Sequence, residues 1–252
     1  MKKLALTFSL LTLILSSCSS SDSDSTPLSG IFLKKAIDTD SDGTVTTLYT
    51  YNGNKVVNAI SDNGLTIVVT YTGDLITKME YFSGTILDQT DTYIYNASNQ
   101  LVTFLRIENL DDYGDRTTYI HNMDGTISFT SYFGDTVSQT AVSSTGVILL
   151  ENNELVKTEF YTPNSSSLFN TVNYTFDTKN NLFKNVIGFE KIYFNEGYTE
   201  GLCHNVLSET HTFETDNSYT SVFNYNSDNF PTNVVTTFTD SGNVASSQFF
   251  YE

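Results

Sequence analysis

Six stretches of this chain repeat one phrase: an aromatic-x-aromatic triplet, a polar turn, then an apolar strand. They are "LYTYNGNKVVNAI", "VVTYTGDLITKMEY", "TYIYNASNQLVTFLR", "TYIHNMDGTISFTSY", "NYTFDTKNNLFKNV" and "VFNYNSDNFPTNVV". A unit this small cannot bury its own apolar face, so it folds only against copies of itself, and the chain is restricted to architectures that grow by addition. The period is irregular, with 20 residues from Tyr51 to Tyr71, 24 from Tyr71 to Tyr95 and 26 from Tyr95 to His121.

The local pattern says what is being added. In "LTIVVTY", Leu65, Ile67, Val69 and Tyr71 alternate with Thr66, Val68 and Thr70; Tyr219, Phe223 and Tyr225 share one parity, as do Phe230, Val234 and Phe238. Alternate residues of a strand point to opposite faces, so such runs bury one face and wet the other. Between the runs lie "DSDG", "SDNG", "YTGD", "HNMDG", "ENNE" and "NSDN", residues that tolerate the positive φ of tight hairpins. The expectation is all-β: an antiparallel meander of about 15 to 17 short strands from residue 30 to 252, forming a rolled or barrel-like sheet. One segment, "NVIGFEKIYFNEGYTEGLCHNVLSE" at 185–209, lacks strict alternation and reads as a short helix or long connection, where function often sits.

The phrases "TYNGNKVV", "YNASNQLV" and "FDTKNNLFKNVIGF" resemble the tyrosine-aspartate repeats of Rhs-type proteins, and more closely a set of Bacteroidota lipoproteins carrying degenerate versions of them. The aspartate is replaced by Asn52, Asn96 and Asn226, so a toxin-encapsulating shell is not implied. Members of that set are mostly of unknown function, and the resemblance implies a porin-like, rolled antiparallel sheet.

The chain opens "MKKLALTFSLLTLILSSCSSSDSDS". Two lysines, an apolar run too short to span a bilayer and a small-residue site form a secretory signal over residues 1–17. Leu15-Ser16-Ser17-Cys18 resembles the bacterial lipobox, which implies that Cys18 carries lipid. Residues 18–29, polar with Asp22, Asp24 and Pro27, read as a flexible tether. Acids soon after the cysteine resemble the signal that sends such lipoproteins to the outer face of the outer membrane, so the cell surface is expected ahead of the periplasmic leaflet. Removing the leader takes two lysines and no acid, moving the net charge from −17 to −19. That balance excludes nucleic acid as a partner and makes the acyl chains, not a basic patch, the membrane link.

Candidate sites are few. Asp38, Asp40, Asp42 and Gly43 match the opening of a calcium loop, but the position of the closing bidentate Glu is Tyr49, and the flanks are strands. A hairpin turn is the reading taken, with Asp38, Asp40 and Asp42 as a surface calcium candidate. His121 occupies the place of Tyr51, Tyr95 and Phe176 in the other repeats. Cys203, His204 and His211 lack zinc-ligand spacing, and nothing basic flanks Cys203 to activate its thiol. Glu108, Asp111, Asp112 and Asp115 read as a solvated loop. Sixteen tyrosines and 18 phenylalanines are read as core and cross-strand pairs, with an exposed binding row as the rival. A transmembrane barrel would want tryptophan and tyrosine girdles and no lipobox; the chain has no tryptophan.

The sequence therefore points to a lipid-anchored, non-enzymatic envelope protein that binds or scaffolds a glycan or protein, with no cofactor. The alternative is an envelope hydrolase with a cleft at 185–209, using acids or Cys203.

Overall fold

The computed structural model describes residues 30–163, 165, 167–195, 203–213 and 217–252. The expected leader, Cys18 and tether lie outside the described residues, as do 196–202 of the irregular segment.

Sixteen strands follow one another around a closed barrel: β1 Leu33–Asp40, β2 Gly43–Asn52, β3 Lys55–Ser61, β4 Leu65–Thr72, β5 Leu75–Ser83, β6 Ile86–Tyr95, β7 Leu101–Glu108, β8 Tyr113–His121, β9 Ile127–Gly134, β10 Gln139–Glu151, β11 Glu154–Tyr161, β12 Leu168–Phe176, β13 Val206–His211, β14 Tyr219–Tyr225, β15 Pro231–Phe238 and β16 Val244–Tyr251. Every pairing is antiparallel with a sequence neighbour, and β1 closes onto β16, sealed by reciprocal bonds between the backbones of Phe32 and Glu252 at 3.0 Å. The expected meander is thus borne out as a full barrel, and closure leaves no edge strand. Asn152 and Asn153, at φ 52° and 64°, supply the two left-handed residues of the β10–β11 turn, as a type I′ hairpin requires.

The repeated phrase has a structural meaning. Its second ring closes an even-numbered strand, and in three of the six phrases, as at Tyr251 of β16, it bonds back to a core residue near the start of the strand before, whereas Tyr225 bonds to Asp177. Tyr51 Oη donates to the Leu33 carbonyl (2.7 Å), Tyr95 to Ile76 (2.6 Å) and Tyr251 to Pro231 (2.6 Å). His121 Nε2 meets the Leu101 carbonyl at 2.9 Å; a carbonyl only accepts, so this nitrogen carries the proton. His121 is a repeat position filled by another ring, as its place in the phrase predicts. The sheet shifts register beside this position in five hairpins, at Tyr51, Tyr71, Tyr95, Leu150 and Tyr225. Such bulges bend and twist a strand locally, and here they recur at one end of the barrel.

Sixteen strands enclose more space than wall side chains fill. The described residues of the β12–β13 connection, 177–195 and 203–205, fill one end. A 3-10 turn, Phe189–Lys191, follows Gly188, whose φ is 94° and whose missing Cβ would lie 2.9 Å from Ile76 Cγ1. No other residue fits both the left-handed backbone and that close approach. Beyond the turn, Ile192, Tyr193 and Phe194 are buried among Ile76, Met79, Leu101 and Phe104 of the wall. Val186 packs on Phe32 and Val56, and Phe183 stacks on Phe189 with centroids 4.9 Å apart. Backbone and polar ties hold the segment down: Ile187 N–H to the Asn54 carbonyl (2.9 Å), Asn185 Nδ2 to Ile31 (2.9 Å), and Asp177 accepting from Asn205 and Tyr225.

Candidate functional site

The alternation that builds the wall also sorts its chemistry. Rings and aliphatic side chains that share parity with the core point inward: Tyr49 and Tyr51 on β2, Tyr93 and Tyr95 on β6, Phe129 on β9, Phe223 and Tyr225 on β14. The opposite parity is exposed and mixed, with Thr50, Thr70, Asn173, Thr175, Thr210, Thr220, Asn224 and Thr237 beside Leu48, Ile60, Ile94, Ile120, Val222 and Val235. It also carries the pairs Lys78–Glu80 (2.9 Å) and Lys157–Glu159 (2.8 Å), and Arg116 over the Tyr132 ring at 4.2 Å. Lys157 and Tyr161 both donate to the Glu159 carboxylate and hold it below the usual carboxylate range.

Above the plug lies a cavity of about 640 Å³, within the usual range for small-molecule sites. Its floor is Phe194, Asn195 and Tyr119; its sides include Phe104, Phe129, Ile148, Phe160 and Val172; its mouth, at the end opposite the plug, has Tyr113, Asp115, Phe169, Glu209 and His211. Gly146 makes the lining possible: a Cβ there would stand 2.2 Å from Phe129 Cζ.

Several polar groups of this lumen are paired with one another. Asp91 is fully buried and receives Arg106 twice (Nε 3.1 Å, a terminal nitrogen 3.3 Å), Gln89 Nε2 (2.9 Å) and Tyr81 Oη (3.3 Å). A buried carboxylate persists only with such a full set of donors. Thr117 and Ser131 share a hydroxyl bond of 2.9 Å, and Tyr113 donates to Asp115 (2.8 Å). Asn170 Oδ1 accepts the Phe213 N–H (3.0 Å), which turns Asn170 Nδ2 toward His211 Nδ1 (3.3 Å); His211 Nε2 then donates to Glu209 (2.7 Å). The tautomer is fixed by its neighbours. On the floor, Tyr119 Oη donates to Asn195 Oδ1 (2.5 Å), while buried Asn195 Nδ2 has no partner.

The residues singled out from sequence are dispersed. Asp38 and Asp40 end β1, and Asp40 Oδ1 accepts the N–H groups of Asp42 (2.8 Å) and Gly43 (3.2 Å), making the hairpin turn. His204 precedes β13 at the plugged end and His211 ends it at the mouth. Glu154 Oε1 accepts three donors, the N–H groups of Cys203 (2.9 Å) and His204 (2.8 Å) and His204 Nδ1 (3.1 Å), so it fastens the strand back to the plug. Burial, then the nearby Glu154, pushes the Cys203 thiol up from its ordinary value, the wrong direction for a nucleophile. Of the four acids at 108–115, Asp115 faces the cavity, a departure from the solvated-loop reading, and Asp112 accepts from Thr136 on the outer loops. Among the described residues no three His, Cys, Asp or Glu side chains gather to hold a metal. The hydrolase reading needed a cleft at 185–209; of the described part, 185–195 and 203–205 belong to the plug and 206–209 begin β13, whose Glu209 lines the cavity mouth.

Asp91, Arg106, Glu154 and Asn195 went unremarked in the sequence. Asp91 had a signal: it shares the parity of Tyr93 and Tyr95, which puts a charge on the core face of β6.

No family model matches the chain, and no curated protein does. Solved structures do. A porin-like protein from Bacteroides vulgatus is 14% identical with a TM-score of 0.56, the alignment covering 88% of this chain and 99% of that one. A porin-like protein from Bacteroides uniformis is 12% identical with a TM-score of 0.52, covering 90% and 99%. At such identities the likeness is one of fold: this chain has the barrel architecture of porin-like proteins from Bacteroides.

Proposed function

We propose that this is a lipid-anchored protein of the cell envelope whose barrel stands in water and binds a small molecule in its lumen, without catalysis. The observation that carries the reading is the lumen itself: plugged at one end, open at the other, and lined by rings around a cavity of about 640 Å³. A plugged barrel holds a ligand and does not conduct one. A lipid-immersed wall is disfavoured by the pairs Lys78–Glu80 and Lys157–Glu159 and by Arg116 on the outer face, which interrupt its apolar side chains. The hydrolase alternative is disfavoured because both nitrogens of His211 are engaged and Cys203 is held as a thiol.

The attachment rests on Cys18 and the sequence around it, and the porin-like neighbours from Bacteroides are compatible with an outer-membrane setting. Several acyl chains suffice for stable anchoring, since each buried methylene contributes about 0.8 kcal/mol. The test is Cys18→Ala, followed by fractionation and a carbonate wash. The expected result is a soluble, folded β-protein; retention in the membrane would overturn the tether and return the transmembrane barrel. Protease shaving of intact cells then separates the surface leaflet from the periplasmic one.

A further inference from the structure

We infer that the lumen takes an amphiphile with an apolar or aromatic body and a protonated amine head, seated body-first with the head at the mouth. This rests on the binding reading above and adds the ligand's class. Two features select the body. The deep wall offers mainly ring faces and aliphatic groups; of its few polar groups Thr117 and Ser131 are bonded to each other, and Asn195 Nδ2 is a single open donor on the floor. A sugar needs free donors and acceptors on several edges, and would leave its own hydroxyls unsatisfied here, at roughly 1–3 kcal/mol for each buried group. A carbon chain or ring asks only for dispersion contacts and release of water.

The head is selected by charge. Among the described lining residues Arg106 is the fixed cation; it stands opposite Asp115 in the β7–β8 register, and Asp91 binds it through two bonds. Asp115 and Glu209 lie across the mouth on β8 and β13, and each commits one carboxylate oxygen, Asp115 Oδ1 to Tyr113 and Glu209 Oε1 to His211. The second oxygen of each has no described hydrogen bond. Asp111, Asp112 and Asp135 stand on the loops around them, and the whole chain is strongly acidic. Low-dielectric walls focus that field at the opening, which favours a cation and repels a fatty-acid anion. Ring faces near the mouth, Tyr113 and Phe169, favour an ammonium further.

The test uses the folded protein with N-phenyl-naphthylamine as a neutral fluorescent probe, displaced by dodecylamine or by dodecanoate, equal chains of opposite charge, at submicellar concentrations and neutral pH. The expected result is saturable probe binding, with dodecylamine displacing at about tenfold lower concentration than dodecanoate, a ratio set by two partly hydrated carboxylates and narrowing as salt rises. Asp115→Asn with Glu209→Gln brings the two competitors to near parity; Asp115→Asn alone, which keeps an acceptor for Tyr113, closes about half the gap. Ser144→Trp, at the half-exposed cavity lip, abolishes probe binding while circular dichroism stays native. No saturable binding, or binding that survives Ser144→Trp, overturns the lumen reading and this inference together. Probe binding with dodecanoate equal to or better than dodecylamine overturns the amine head alone.

Discussion

Replacing Ile192 by Ala should destabilise the barrel by about 3–4 kcal/mol. Ile192 is 0% exposed and lies in the cluster that joins the plug to Ile76, Met79 and Leu101. The change deletes three carbons, about 2.4 kcal/mol of transfer free energy at 0.8 per methylene, and the barrel wall cannot collapse into the space, so a cavity contribution adds to it. For a domain of this length the loss lowers the Tm by roughly 6–16 °C. Urea unfolding followed by circular dichroism reads it directly, with an unchanged slope showing that the folded and unfolded states keep their exposure. The paired control is Ile120→Ala, at a residue 67% exposed on the outer face of β8, which should cost less than about 0.5 kcal/mol. If the two substitutions cost the same, or if Ile192→Ala costs under about 1 kcal/mol, the plug is not part of the core and the closed lumen is wrong.

Asp91→Asn leaves Arg106 without its buried counter-charge and should cost about 3–5 kcal/mol, read by the same unfolding titration; a neutral effect would show that the lumen network is solvated. Burial pushes the phenols of Tyr51, Tyr95 and Tyr251 well above their ordinary value of 10.0. Below that value both folded and unfolded chains keep these protons, and above it the unfolded chain alone loses them, so stability should fall steeply once pH rises past 10, with tyrosinate absorbance and loss of β-structure appearing together. Cys203, with its thiol pushed up, should react with iodoacetamide far more slowly in the native protein than in urea, and equal rates would refute its burial against Glu154.

The hairpins were legible because two local signals agree in each repeat, side-chain alternation and turn residues that accept positive φ. His121 shows how far this reaches: its place in the phrase predicted a ring in a tyrosine's position, and it makes the tyrosine's bond to the preceding strand. What alternation cannot state is closure, because the bond between Phe32 and Glu252 joins the two ends of the chain. It also cannot state where residues 177–195 go, since a segment without period has no face to assign. The Asp91–Arg106 pair illustrates a third limit. Fifteen residues separate them, and only the β6–β7 register, with its shift at Tyr95, sets them side by side. The outward threonines were legible in the same alternation, since Thr66 and Thr70 stood against Leu65, Ile67, Val69 and Tyr71.

The central claim, a barrel whose outer wall meets water while its lumen holds a ligand, is tested most directly by spin labels on that wall in native envelopes. Cysteines at Ile120 and Val222, 67% and 70% exposed, in a Cys203→Ser background, place labels on β8 and β14. Collision with a water-soluble nickel complex should dominate at both sites, with oxygen accessibility no higher than in buffer. High oxygen and low nickel accessibility would put the wall in lipid and contradict the account.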